Sequence, residues 1–201
     1  MDLMLKDACF PGTVIPREQF AGLDGEGLID RIFFLTNGIM LSQLKAVSGI
    51  DGTTLQNWVK RGWLVNTVAK RYSKDQMARI LIINMIRGTM HLEQIDALLR
   101  YINPVMDEAS APMIPEYKLY GYLSRILDRC RLKGGVDSED LRLLIREELC
   151  SYVEPSDGAA LRLERALQVI LIAYFANLAR ASALSYFETI RTESHVEVQE
   201  R

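Results

Sequence analysis

The side chains best suited to recognition chemistry gather between residues 53 and 74. Thr53, Gln56 and Asn57 fall at helical spacing in a short segment that follows Gly52. Gln and Asn can bond bidentately to an adenine edge, and a Thr hydroxyl can reach a base or a phosphate. Behind them stand Lys60-Arg61, then Lys70-Arg71-Tyr72 and Lys74. Cations at this density can neutralise phosphates and release their counterions, and a tyrosine hydroxyl can join them. The candidate base readers are therefore Thr53, Gln56 and Asn57. The candidate phosphate contacts are Lys60, Arg61, Lys70, Arg71, Tyr72 and Lys74. Each also has an ordinary explanation. Thr53 or Asp51 can simply cap a helix, Tyr72 can pack locally, and lysines and arginines solvate any surface.

Little else in the chain suits catalysis. Two histidines, His91 and His195, and three dispersed cysteines, Cys9, Cys130 and Cys150, have no metal-ligand spacing. An odd, scattered set of cysteines fits a reducing compartment better than a disulfide framework. His91 reads as a surface or capping residue, and Cys130 and Cys150 as small hydrophobes on apolar helices. Phosphate-cradling Gly-rich loops, Gly-x-Ser-x-Gly and HExxH are all missing from the sequence. The expectation is a protein that is not an enzyme, with no catalytic residues, no metal and no cofactor. Residues 1–11 carry Asp2, Lys6 and Asp7 and lack the apolar core of a leader. The most apolar run, residues 167–179, falls short of the ~20 residues that span a bilayer and is bracketed by Arg165 and Arg180. A cytoplasmic location and no membrane partner are expected.

The elements that must position these residues read as mostly α. With 201 residues and 49% hydrophobic side chains, a sizeable core is within reach. Residues 24–35 are spaced for a short amphipathic helix ending at Asn37-Gly38. Residues 41–48 and 53–60 read as two short helices joined by a Gly-containing connector, the pattern of a helix-turn-helix. Residues 63–72 read as extended, in the form of a small hairpin. Ser73 and Gln76 stand at capping-box spacing ahead of the apolar helix 77–87. Another amphipathic helix covers 91–102. Pro104, Pro112 and Pro115 mark a linker, and three helices are expected beyond it over 117–131, 138–153 and 157–191, with a frayed tail from residue 192. Trp58 and Trp63 read as core residues that hold the short helices together.

Charge is unevenly shared. The chain carries −2 overall, yet residues 41–100 hold nine basic and four acidic side chains, a local +5 against −7 elsewhere. Such asymmetry can signal a nucleic-acid partner.

Residues 41–103 resemble the MerR-type winged helix-turn-helix. Gly49-Ile50, Thr54-Leu55, Trp58, Arg61-Gly62-Trp63-Leu64, Arg71-Tyr72-Ser73 and Leu92-Glu93-Gln94-Ile95 occupy the family's anchor places in order. MerR proteins usually have Arg-Tyr where this chain has Gln56-Asn57, so a different sequence preference is expected. The chain is also similar to a bacterial family known as a domain of unknown function (number eighteen thirty-six). Gly52 to Trp63 and Lys70 to Gln76 carry that likeness. The resemblance implies transcriptional regulation.

These readings divide the chain into an N-terminal arm and short helix (1–36), a MerR-like winged helix-turn-helix (37–103) and a C-terminal all-helical domain (104–201). The expected function is sequence-specific, DNA-binding transcriptional regulation of bacterial type. The expected partners are double-stranded DNA and a second copy bound through the C-terminal helices, and a helical pocket there could take a small-molecule effector. The alternative is a helical protein-protein interaction module that binds no DNA.

Overall fold

The computed structural model describes residues 8–104 and 112–199, with side chains placed through Thr192. The first seven residues, the middle of the Pro104–Pro115 linker and the His195 side chain lie outside that set. Eight α-helices run through the described residues: α1 (Gly25–Phe33), α2 (Leu41–Ser48), α3 (Gly52–Lys60), α4 (Lys74–Ile86), α5 (Leu92–Ile102), α6 (Glu116–Leu132), α7 (Ser138–Glu148) and α8 (Ala159–Gln199). Short 3-10 turns cover Arg17–Phe20 and Leu149–Ser151. The described residues contain isolated bridges and no strand. The fold is mostly α.

Helix α4 is the axis. The Ser73 hydroxyl accepts from the Gln76 N–H at 3.2 Å, and the Gln76 carboxamide oxygen accepts from the Ser73 N–H at 2.9 Å. That reciprocal pair starts the helix where the sequence placed it. Met77, Ala78, Ile80, Leu81, Ile82, Ile83, Met85 and Ile86 are all buried, so apolar side chains leave the axis in nearly every direction. A helix of this kind must be surrounded. The surrounding elements are α1, α2, α5, α6 and α8.

Helix α6 seats the N-terminal part of the chain. The Ser124 hydroxyl accepts from the Gly25 N–H at 2.9 Å, and the buried Tyr120 hydroxyl donates to the Pro11 carbonyl at 2.7 Å. Both groups would be costly to bury without these partners. Its apolar side, including Leu119, Leu123, Ile126 and Leu127, meets α4 and α1. Cys130, on the same helix, is buried, and burial pushes its thiol up to about 11. Packing thus runs across residues 103 and 104, and one apolar cluster extends from Ile29 to Tyr174.

The polar centre of this packing is Arg79 on α4. Its Nη2 lies 2.8 Å from Asp96 Oδ1 on α5, its Nη1 donates to Glu116 at the start of α6, and its Nε donates to the Trp63 carbonyl at 2.7 Å. All three charged side chains are about 15% exposed. One guanidinium therefore joins three helices and the segment after α3.

Helix α8 departs from the sequence expectation. It continues to Gln199, past the polar tail expected to fray. No Gly or Pro follows Gly158, so nothing in the sequence stops the helix once it starts. Leu163, Ala166, Leu167, Ile170, Leu171 and Tyr174 are buried against the body. From Ala179 to Thr192 the residues are exposed except Ser182, which is half-buried. Residues 159–192 are long and apolar enough to cross a membrane by length and composition. Helix α7 is shorter than expected, giving way at Leu149 to the 3-10 turn.

Replacing Arg79 with Met should destabilise the protein by about 3 kcal/mol, because two largely buried carboxylates lose their counter-charge. Burial already holds the Glu116 carboxyl above its usual range, with Arg79 pulling it back down. Without Arg79 the folded-state pKa rises further above the unfolded value, so folding takes up a proton. The variant should lose stability as pH rises through the carboxylate range and recover part of it on acidification. Urea unfolding of both proteins between pH 4.5 and 7.5 reads the slope; parallel pH profiles would contradict this account.

Candidate nucleic-acid interface

Helices α2 and α3 are joined by Gly49, Ile50 and Asp51. Gly49 ends α2 in the left-handed region, with φ 69°, and its N–H donates to the Lys45 carbonyl at 2.9 Å. A Cβ there would lie 2.7 Å from Val14, so glycine serves both the turn and the close approach of the N-terminal arm. Asp51 caps α3: its carboxylate accepts from the Thr54 N–H at 2.9 Å and from the Thr54 hydroxyl at 2.6 Å. These bonds, the hydroxyl's first, hold the Asp51 carboxyl below its usual range. Thr53 is not the cap.

That leaves Thr53 exposed with Gln56, Asn57 and Lys60, at spacings of three, four and seven residues. Four side chains at those offsets share one helix face. Leu55 and Trp58 lie on the other side of α3, in the core. Burying an indole and a leucine fixes which way α3 turns, and so which polar residues face outward.

The basic candidates separate into two sets. Lys60, Arg61 and Lys70 are exposed. Arg61 lies 3.9 Å from Glu93 and stacks over the Trp63 ring at 5.3 Å. Lys70 sits at the tip of a two-residue turn in which the Arg71 N–H donates to the Val68 carbonyl at 2.9 Å. Ala69 and Lys70 both have positive φ, 50° and 58°. Two consecutive left-handed residues are the requirement of the tight turns that match strand twist, although here only one bridge forms. The other candidates are engaged with the body. Arg71 Nη1 donates to the Gly38 carbonyl at 2.9 Å, and Lys74 Nζ lies 2.6 Å from Asp30. Tyr72 is buried, exchanging both backbone bonds with Ile39 at 2.8 and 3.0 Å, and burial raises its hydroxyl pKa.

A cleft of about 780 Å³ opens beside the C-terminal end of α3. One wall is Asn57, Trp58, Lys60 and Arg61. The other is the turn between α4 and α5, with Arg87, Met90 and His91. Arg87 approaches the Trp58 ring at 5.9 Å and donates from Nε to Asn84 at 2.8 Å. Asn84 in turn donates to the carbonyls of Gly12 and Ser48. Lys60, Arg61 and Arg87 thus face one space, with Glu93 as the acidic residue at its edge. Thr53, Gln56, Lys70, Arg71, Tyr72 and Lys74 do not line it.

Sequence reasoning missed Arg87 and His91 as members of this site. A usable signal was present: a cation and a histidine flank the Gly88 break, the kind of short turn that can lie against a neighbouring helix end. Helix α8 holds that turn in place. Thr89 Oγ1 donates to the Ala173 carbonyl at 2.9 Å, and Asn177 Nδ2 donates to the Met85 carbonyl at 3.0 Å. A Cβ on Gly88 would lie 2.0 Å from Asn177 Oδ1.

Residues 28–123 match the model of a family described as "Domain of unknown function (DUF1836)". This segment, just under half of the chain, is similar to that family. The DUF1836 match spans α1 to α5 and the first half of α6, so it includes α3, the cleft and the Arg79 centre. Comparison with curated proteins and with solved structures gave no match.

Gly88→Ala should cost roughly 1–2 kcal/mol by driving Asn177 off the Met85 carbonyl. In an Asn177→Ala background most of that cost should vanish, since the side chain in the way has gone. Urea unfolding of the four proteins of this cycle measures the coupling, and additive losses would refute the contact.

Proposed function

We propose that this protein is a sequence-specific, DNA-binding transcriptional regulator of bacterial type, built on a MerR-like winged helix-turn-helix in which α3 is the reading helix. The observation that carries the reading is the shared outward face of Thr53, Gln56, Asn57 and Lys60, which runs into a cleft holding Arg61 and Arg87. Amides and a hydroxyl on one helix face suit base edges in a major groove. Cations on both walls of an adjoining cleft suit the phosphates that flank it. In this reading the Ala69-Lys70 turn is the tip of a minimal wing that brings Lys70 to the backbone. Lys60, Arg61, Lys70 and Arg87 are the phosphate contacts. Lys74, already paired with Asp30, contributes less, and buried Tyr72 acts by holding the base of the wing.

A second reading has its own observation. Arg61 and Lys74 already have acidic neighbours, and Arg71 is bonded to a carbonyl. A basic face with part of its charge internally paired suits a protein-interaction module that docks an acidic partner.

Selection of genomic fragments by the purified chain at physiological salt separates the two. One enriched motif is expected for the DNA reader, whereas retention that polyanions compete for regardless of sequence favours the module. On the enriched site, Gln56→Ala and Asn57→Ala should alter base preference. Lys60→Ala, Lys70→Ala or Arg87→Ala should each weaken binding on all sequences and flatten the salt slope by roughly one counterion. Lys74→Ala should change the slope less, and equal slopes across the whole series would contradict the assignment.

A further inference from the structure

We infer that the exposed face of α8 is a self-complementary seam that pairs antiparallel with α8 of a second copy of this chain. The inference is independent of what the cleft binds.

Ile172, Ala176, Ala179, Ala183, Tyr186 and Ile190 follow one another at spacings of four, three, four, three and four. All six are exposed, with Ile172 at 50% and Tyr186 at 64%. Val169, three residues before Ile172, extends the spacing and is also exposed. Alternating steps of three and four over three heptads define the seam of a coiled coil, which is distinct from the broader stripe of a helix lying on a core. Here the core stripe exists separately: Leu163, Ala166, Leu167, Ile170 and Leu171 already face the body. The helix therefore carries two apolar faces, and only one is covered by the described residues.

Size complementarity selects the occupant and its direction. In an antiparallel pair with Ile172 opposite Ile190, Ala176 meets Tyr186 and Ala179 meets Ala183. The ring thus faces a methyl group, and the small residues cross at the centre. An in-register parallel pair would set Tyr186 against itself beside three facing alanine layers, which cannot all close at one helix separation. The antiparallel arrangement is two-fold symmetric, as an isologous interface requires. The seam from residue 172 to 190 is roughly 27 Å long. Ile172, Tyr186 and Ile190 on the seam and Phe187 beside it, each half or more exposed, offer on the order of 500 Å² of side-chain surface per chain, with the alanines adding to it, toward the ~800 Å² that each partner buries in a stable interface. Lipid is the poorer match. Arg180, Glu188 and Arg191 share the protruding stretch, and Glu188 and Arg191 pair at 2.8 Å, so its other faces are charged with both signs.

Sedimentation of the full chain at micromolar concentration should give twice the chain mass. Ala179→Glu/Ala183→Glu should sediment as a monomer with unchanged helical circular dichroism, because both sites are exposed and glutamate is a good helix former. In an Ala176→Cys/Tyr186→Cys variant, oxidation followed by peptide mapping should join residue 176 of one chain to residue 186 of the other. A monomeric wild type, a dimer indifferent to the double glutamate variant, or cross-links joining 176 to 176 and 186 to 186 would each overturn the pairing. So would flotation of the monomeric chain with phosphatidylcholine–phosphatidylglycerol vesicles, which would assign the face to lipid.

Discussion

The guanidinium of Arg79 is the constraint on which the rest of the arrangement rests. It projects from the most deeply buried helix and is held by Asp96, Glu116 and the Trp63 carbonyl. An arginine can serve three acceptors at once because its donors are fixed in a planar fork. The geometry of the fork then dictates where α5, α6 and the segment after α3 must lie relative to α4. Since Trp63 lies just past α3, the exposed polar face of α3 is positioned from inside the core by this one side chain. An apolar core alone would allow more sliding, because dispersion contacts carry little directional information.

Much of this was legible in the sequence, and for local reasons. The Ser73-Gln76 box, the apolar runs of α4 and α5 and the Gly49 stop all depend on residues within one helical turn of one another. Each appears in the structure near its expected place. The outward set Thr53, Gln56 and Asn57 was legible for the same reason, since helical spacing and the bulk of Trp58 together determine the face. What the sequence did not show depends on distance along the chain. Lys74 is engaged by Asp30, 44 residues earlier, and Tyr72 is buried by a bridge to Ile39. The second wall of the cleft comes from a turn some thirty residues beyond α3. Periodicity carries no information about such meetings, because they are set by how whole helices pack.

The length of α8 was missed for a different reason. Polarity after Thr192 suggested fraying, yet polarity does not end a helix; glycine, proline or a capping geometry does. Nor did the sequence alone distinguish the two apolar faces of α8. Separating them needs knowledge of which residues the body already covers, and this exists only once the chain has folded.

Helix α8 is a single rod with its near half packed on the body and most of residues 179–192 exposed. Near Asn177, at the junction of the two halves, it holds the turn that forms one wall of the cleft. A rod held at a fulcrum turns displacement at its tip into rotation at its grip, and about fifteen residues beyond Asn177 give an arm of roughly 22 Å. The same helix thus carries both the exposed stretch and the contacts that seat the turn bearing Arg87 beside α3.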